Sequence, residues 1–385
     1  MRYRLLGRSG VRVSELCLGA MVFGDERGGW GATREEAAAI VGSFSEAGGN
    51  FIDTANFYAG GESERIVGEL IRPDRDRWVV GTKYALSSDR SDPNAGGTHR
   101  KSLHRSIDGS LERLGTDYID LYWVHIWDAY TQVEEVVNAL DDLVRAGKVL
   151  YLGISDTPAW IVSRAVTLAE QRGSTPFTAL QVPYSLVERT VERELLRMAR
   201  GLDLAVTGWA PLGGGLLTGR YGSDRERPTD TRLAAIGGKY EEEAVSERNL
   251  LVADALNEVA EARGATSSQV AIAWVRAQQH RAVTIPIVGT RTRAQLWTTS
   301  PLARSSSSAP SLRGSTKPVV LPPASLRTSA VPPWHTATRS SASMITASSL
   351  MRWSRSGGAA EGAQELKPIV DAHGIAEVRG DTRRR

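Results

Sequence analysis

The chain has 385 residues, 41% of them hydrophobic and 24% charged, which is ordinary for a globular protein of one large or two smaller α/β domains. No run of eighteen apolar residues occurs, so no membrane span is expected, and an N-terminus lacking a long apolar stretch argues against secretion. The net charge of +3 comes from the tail: residues 297–385 hold twelve of the 47 Lys+Arg and five of the 44 Asp+Glu, leaving 35 basic against 39 acidic residues in 1–296, and nucleic-acid binding loses its compositional support.

In chain order, segments 3–6 and 11–14 flank Gly7 and Gly10 and read as a hairpin capping one end of a barrel. From residue 15 to about 290, short β-favouring apolar runs alternate with amphipathic helical segments. The predicted strands are 16–18, 50–53, 78–83, 119–125, 149–155, 179–182, 205–209 and 283–287. The predicted helices are 33–47, 63–71, 99–114, 133–146, 158–171, 191–200, 246–263 and 267–277. Thr33 is a natural N-cap, and Glu35 and Glu36 suit the positive end of the helix that follows. Eight strands with intervening helices predict a closed parallel (β/α)8 TIM barrel. A doubly wound open sheet is the alternative, but the 19–24 segment lacks the glycine spacing of a dinucleotide fingerprint. Cys17, the one cysteine, lies in an apolar stretch; it excludes an intramolecular disulfide and fits a packing residue in a reducing cytoplasm.

After Gln295 the composition changes in kind. No Asp or Glu stands between Arg263 and Ala360, and sixteen of the 64 residues in 297–360 are serine. Such a segment buries too little apolar surface to offset chain entropy, so the chain divides into a barrel domain, 1–296, and a disordered low-complexity tail, 297–385. An eighth barrel helix should start near Thr292 and run past residue 300, yet its pattern breaks off. A shift of reading frame in the gene is one explanation. With assumed codons, the same two-base displacement at Trp297 and at Gly314 restores helix-forming, acid-containing sequence. A natural tail is the other explanation. A barrel lacking its last helix would expose apolar faces and aggregate.

The chemistry gathers at predicted strand ends. Asp53, Lys83 and His125 each close an apolar run, and Tyr58 follows Asp53 by five residues. A barrel collects such positions around one mouth, where an acid, a phenol, an amine and an imidazole suit proton transfer to a carbonyl oxygen. The ammonium of Lys83 is expected to lower the pKa of Tyr58 and so activate it as a general acid. Asp53 holds Lys83, and His125 orients the substrate oxygen.

These four residues in order, with the Gly61–Glu64 segment, resemble the aldo-keto reductase pattern over residues 1 to about 296. The resemblance implies a cytoplasmic oxidoreductase that reduces a small aldehyde or ketone with NADPH, usually preferred over NADH. By the same resemblance Ser155, Asp156 and Gln181 bind the nicotinamide carboxamide, and Tyr184 stacks on its ring. The family often carries Asn where Asp156 stands. Trp209, Leu212, Gly215 and Arg220 belong to a loop covering the pyrophosphate. Gly289, Arg291 and Arg293 hold the adenosine phosphate, and Gln295 lies on the adenine side, although Thr299 replaces a common Asn. Met21 borders the cofactor, and with Phe23, Trp30, Phe57, Trp123 and Trp127 it suggests an aromatic substrate pocket. A nicotinamide-binding regulatory subunit, of the kind found beside ion channels, is the alternative.

Overall fold

The computed structural model describes residues 1–24, 31–87, 89 and 91–299; Trp30 and the tail beyond Thr299 lie outside them. Strands β1 (Tyr3–Leu5) and β2 (Arg12–Ser14) pair antiparallel, with Tyr3 opposite Ser14. Their connection lies against the bottom of the barrel. Leu6 is fully buried, and a side chain on Gly7 would come within 2.1 Å of the Thr178 carbonyl oxygen.

Eight parallel strands follow and close on themselves: β3 (Cys17–Gly19), β4 (Phe51–Asp53), β5 (Val79–Tyr84), β6 (Ile119–Val124), β7 (Val149–Ser155), β8 (Phe177–Pro183), β9 (Ala205–Trp209) and β10 (Thr284–Val288), with β10 pairing back onto β3. The surrounding helices are α1 (Arg34–Glu46), α2 (Glu62–Ile71), α3 (Arg100–Leu114), α4 (Val133–Arg145), α5 (Ala159–Arg172), α6 (Leu195–Gly201), α7 (Arg232–Ile236), α8 (Gly238–Ala244), α9 (Glu247–Ala262), α10 (Ser267–Ala277) and α11 (Arg293–Thr299). This is the expected (β/α)8 barrel. None of the described helices is long and apolar enough to cross a membrane.

Two apolar clusters line the two faces of the barrel strands. One fills the barrel: Cys17, Phe51, Val79, Leu121, Trp123, Ala179, Ala205 and Ile285, closed from below by Leu6 and Val13. The other lies between the strands and the helices and takes the opposite residues, such as Leu18, Ile52, Val80, Tyr122 and Val124. The two lists alternate residue by residue because successive side chains of a strand point to opposite faces.

The sequence-predicted helices largely stand, and Thr33 caps α1, its hydroxyl accepting from the Glu36 N–H at 3.2 Å. Three details differ. The predicted 191–200 helix is a single turn at Thr190–Glu192 followed by the short α6, because Glu194 has non-helical backbone angles (φ −137°). Two short helices, α7 and α8, occupy a stretch between 209 and 246 for which no helix is predicted. The last helix continues through Thr299, past the expected boundary at 297: Leu296 is buried, and the Thr266 hydroxyl donates to the Thr298 carbonyl at 2.8 Å.

Candidate active site

Period-two alternation places the polar side chains. Phe51 and Val79 point into the barrel, so Asp53 and Lys83 point inward as well, at the upper, C-terminal layer. Register sets Asp53 opposite Gly81 and Lys83 opposite Trp123.

Lys83 is the hub. Its ammonium, fully buried, donates to Asp53 Oδ2 at 2.5 Å, to the Thr54 carbonyl at 2.8 Å and to Tyr58 Oη at 3.2 Å. An ammonium has three protons and no lone pair, so all its donors are used. Tyr58 therefore accepts from Lys83, and its own phenolic proton is left to point elsewhere. The ammonium also lies 4.7 Å from the Tyr58 ring centroid. His125 meets the same ring edge-on, 5.9 Å between centroids, and Phe57 packs against both.

Tyr58 reaches Lys83 because the chain turns sharply behind it. Ala59, Gly60 and Gly61 all have positive φ (48°, 65° and 96°), and a left-handed alanine is a local cost the surroundings must hold. The following residues supply that hold. The Ser63 hydroxyl donates to the Ala20 carbonyl at 2.7 Å. Glu64, fully buried, accepts from Arg113 Nε and from the Thr82 hydroxyl, both at 2.6 Å. Thr82 adjoins Lys83, so the Gly61–Glu64 segment ties the tyrosine loop to the lysine strand.

Electrostatics correct one expectation. Burial raises the Tyr58 pKa; Lys83 pulls it down and Asp53 pushes it up, and the net shift is upward. The phenol is not acidified at rest, because desolvating a phenolate costs more than one ammonium returns. It stays protonated, which is the form a proton donor needs. For Lys83, burial disfavours the charge, but the Asp53 carboxylate and the Tyr58 oxygen outweigh it and hold the ammonium charged. Burial raises Asp53, opposed by Lys83, by hydrogen bonds from Lys83 and Gln181, and by the Trp123 indole N–H lying beside the carboxylate.

That last support was not foreseen. Trp123, expected in the substrate pocket, is fully buried in the barrel beneath the polar layer. It lies in a slot made by two glycines: a Cβ on Gly153 would fall 2.2 Å from its ring, and one on Gly81 would fall 2.8 Å from its Nε1 and 3.1 Å from Asp53 Oδ1. Interior strand glycines signal such close approach, and both were visible in the sequence. Phe23 likewise belongs to the core, at 0% exposure.

The residues expected around a dinucleotide occupy the same mouth, with differences. Ser155 ends β7 opposite Gln181 on β8, and the Gln181 amide is committed to Asp53 Oδ1 at 3.2 Å. Asp156 accepts from the Trp209 indole N–H at 3.2 Å and has a left-handed φ of 43°. Neither residue caps α5, which begins without a side-chain cap at Pro158. Tyr184 cannot stack on a nicotinamide: it is fully buried, its hydroxyl donates to Glu192 at 2.9 Å, and its ring packs on Trp274 at 5.4 Å. One residue past β8, its side chain turns toward the helices; Trp209, part-exposed at the end of β9, is the aromatic face that remains at the mouth.

Beyond β9 the chain runs through Leu212 into a glycine turn, Gly213–Thr218, where Gly213, Gly214 and Gly215 have φ of 59°, 72° and 114°. A side chain at Gly215 would meet open space, so conformation, not crowding, selects glycine there. Arg220 is paired with Asp230, an interaction the expected phosphate contact would have to share. Gly289 follows β10, and the Gln295 side chain accepts from the Arg291 N–H at 2.9 Å, capping α11 locally. Arg293 is exposed at the start of that helix. Met21, 40% exposed, and the part-buried Phe57 and Trp127 remain candidates for the rim.

Two buried hydroxyls, Ser155 Oγ beside Asp156 and Thr290 Oγ1 beyond β10, have no hydrogen-bond partner among the described residues. Orphaned polar atoms at the ends of β7 and β10, two places along one mouth, fit a long ligand with polar groups at both ends, as a dinucleotide has.

Comparison with known proteins agrees. Residues 15–300 match the model of the aldo/keto reductase family. A norsolorinic acid reductase of Emericella nidulans is 41% identical over 298 residues, covering 75% of this chain and 73% of its own length. An aryl-alcohol dehydrogenase of Pestalotiopsis microspora is 48% identical over 56% of this chain and 58% of its own. A norsolorinic acid reductase of Aspergillus flavus is 43% identical over 63% and 66%, respectively. With its barrel and the polar cluster at its mouth, the chain belongs to the aldo/keto reductase family of NAD(P)H-dependent oxidoreductases acting on carbonyl groups.

Proposed function

We propose that this protein reduces an aromatic aldehyde or ketone with NADPH, taking the proton from Tyr58. The observation that carries the reading is the Lys83 ammonium held between Asp53 and the Tyr58 oxygen, which leaves the phenolic proton as the one available for transfer. Bound nicotinamide would supply the hydride, which no side chain can provide. As negative charge develops on the substrate oxygen, Tyr58 gives up its proton and Lys83 stabilises the phenolate that forms. Stabilisation of a charge present only in the transition state lowers the barrier without tightening ground-state binding. His125, edge-on to Tyr58, is assigned to orient the carbonyl oxygen.

Ser155 and Asp156 are assigned to the carboxamide, with Gln181 holding Asp53 beside it. Trp209 replaces Tyr184 as the stacking face. The Gly213–Thr218 turn is assigned to the pyrophosphate, with Thr290, Arg291 and Arg293 at the adenosine phosphate. The aromatic preference is supported by the Phe57, Tyr58 and His125 rings at the mouth, and by relatives named for aryl alcohols and for norsolorinic acid.

A panel of aryl and alkyl aldehydes and ketones, with NADPH oxidation followed by absorbance, tests the function. Aryl carbonyls are expected to show kcat/KM about tenfold or more above alkyl ones, in line with the burial of an extra ring. Tight NADPH binding with no oxidation across the panel would instead describe a sensor. Arg291→Ala tests the phosphate assignment. Losing one charge-assisted hydrogen bond, about 1.5–3 kcal/mol, should weaken NADPH roughly 10- to 150-fold and leave NADH within about twofold. Equal loss for both cofactors would remove Arg291 from that role.

A further inference from the structure

We infer that Asp156 selects the oxidation state of the bound cofactor, its carboxylate favouring NADP⁺ and its neutral acid favouring NADPH, so that pH sets which form the site retains. The inference rests on the nicotinamide site proposed above.

The carboxamide of a nicotinamide needs only a hydrogen-bonding partner, which a neutral side chain supplies. This chain places an ionisable acid there. Asp156 is fixed by its left-handed backbone, by its N–H donating to the Gln181 carbonyl at 3.2 Å, and by the Trp209 indole N–H on Oδ1. Trp209 is the proposed stacking face, so the group that anchors Asp156 is also the one that would hold the ring. The carboxyl would therefore border a ring stacked on Trp209.

The ring is cationic in NADP⁺ and neutral in NADPH, while the phosphates are the same in both. A carboxylate in a partly desolvated site attracts the cation and gains nothing from the neutral ring. Asp156 titrates where this matters. Burial pushes its carboxyl up to about 7, against the Trp209 N–H and the Lys83 charge, which pull it down. Among the described residues, the other ionisable side chains at the mouth are Lys83, Tyr58, Asp53 and His125, with Arg220, Arg291 and Arg293 farther along the proposed dinucleotide site. Lys83 and Tyr58 are both shifted upward and keep their protons through neutrality. Lower pH shifts the site toward NADPH and reduction; higher pH shifts it toward NADP⁺ and oxidation of an alcohol.

The test is equilibrium titration of wild type and Asp156→Asn with NADPH and with NADP⁺, read by tryptophan fluorescence quenching, at about pH 5.5 and about pH 8.5. The quantity compared is Kd(NADPH)/Kd(NADP⁺), in which ionisation of the shared 2′-phosphate cancels. In wild type this ratio is expected to rise about tenfold from the acid to the alkaline condition, the size of a one-unit pKa coupling. In Asp156→Asn, which keeps the shape and the acceptor, it should stay within about twofold. A flat ratio in wild type, or an equal rise in both proteins, overturns the inference. Failure of both proteins to bind either dinucleotide overturns the nicotinamide site itself.

Discussion

Tyr58→Phe is expected to lower kcat for carbonyl reduction by about 10²–10⁴-fold, the usual worth of a positioned general acid, while NADPH affinity stays within about twofold. The substitution removes one oxygen and keeps the ring, so the contacts of Tyr58 with Phe57 and His125 survive. Lys83 loses one of three acceptors but retains Asp53 and Thr54. A buried donor left without its acceptor costs about 1–3 kcal/mol, which a denaturation midpoint would register without loss of the fold. Because burial raises the phenol pKa, wild-type reduction should be insensitive to Tyr58 ionisation through neutral pH, and that limb should fall only at strongly alkaline pH. Single-turnover kinetics with fluorescence titration separates the outcomes. Retained turnover, or lost NADPH affinity in a folded protein, contradicts the assigned role.

Lys83→Met should damage both activity and stability. Without the ammonium, the Asp53 carboxylate remains almost wholly buried with only Gln181 and the Trp123 indole turned toward it. Breaking one half of a buried ion pair typically costs 3–5 kcal/mol, so a loss of roughly that size is expected in urea unfolding. Turnover should fall about as far as in Tyr58→Phe, because the phenolate loses its counter-charge. The double variant Lys83→Met, Asp53→Asn removes the stranded charge as well. It should recover most of the lost stability and none of the activity, a non-additivity that directly coupled residues show and distant ones do not. The sign for pH is definite. The Lys83 pKa is raised in the fold, so its contribution is complete at neutral pH and disappears only above the ordinary lysine range. Strict additivity of the two substitutions would mean the pair is not the centre of the site.

Several features could be read before any coordinates. The spacing of short apolar runs and amphipathic segments specifies a closed parallel barrel, and the strand ends name Asp53, Lys83 and His125 as neighbours. Gly81 and Gly153 stand inside predicted strands, a mark of close approach, but nothing local names Trp123 as what approaches them. Tyr184 shows the opposite failure. The family resemblance implied a ring at the mouth, but one residue past a strand end the backbone turns, and the side chain joins Trp274 outside the barrel.

Periodicity and residue type thus settle which side chains face the barrel interior, since alternation along a strand is a local property of the backbone. Protonation and contact are settled by the assembled fold. The upward shift of Tyr58, the threefold commitment of the Lys83 ammonium and the rise of Asp156 to about 7 depend on how much water the folded chain removes from each group. Desolvation and distance are sums over neighbours from many strands, and no local stretch of sequence contains them.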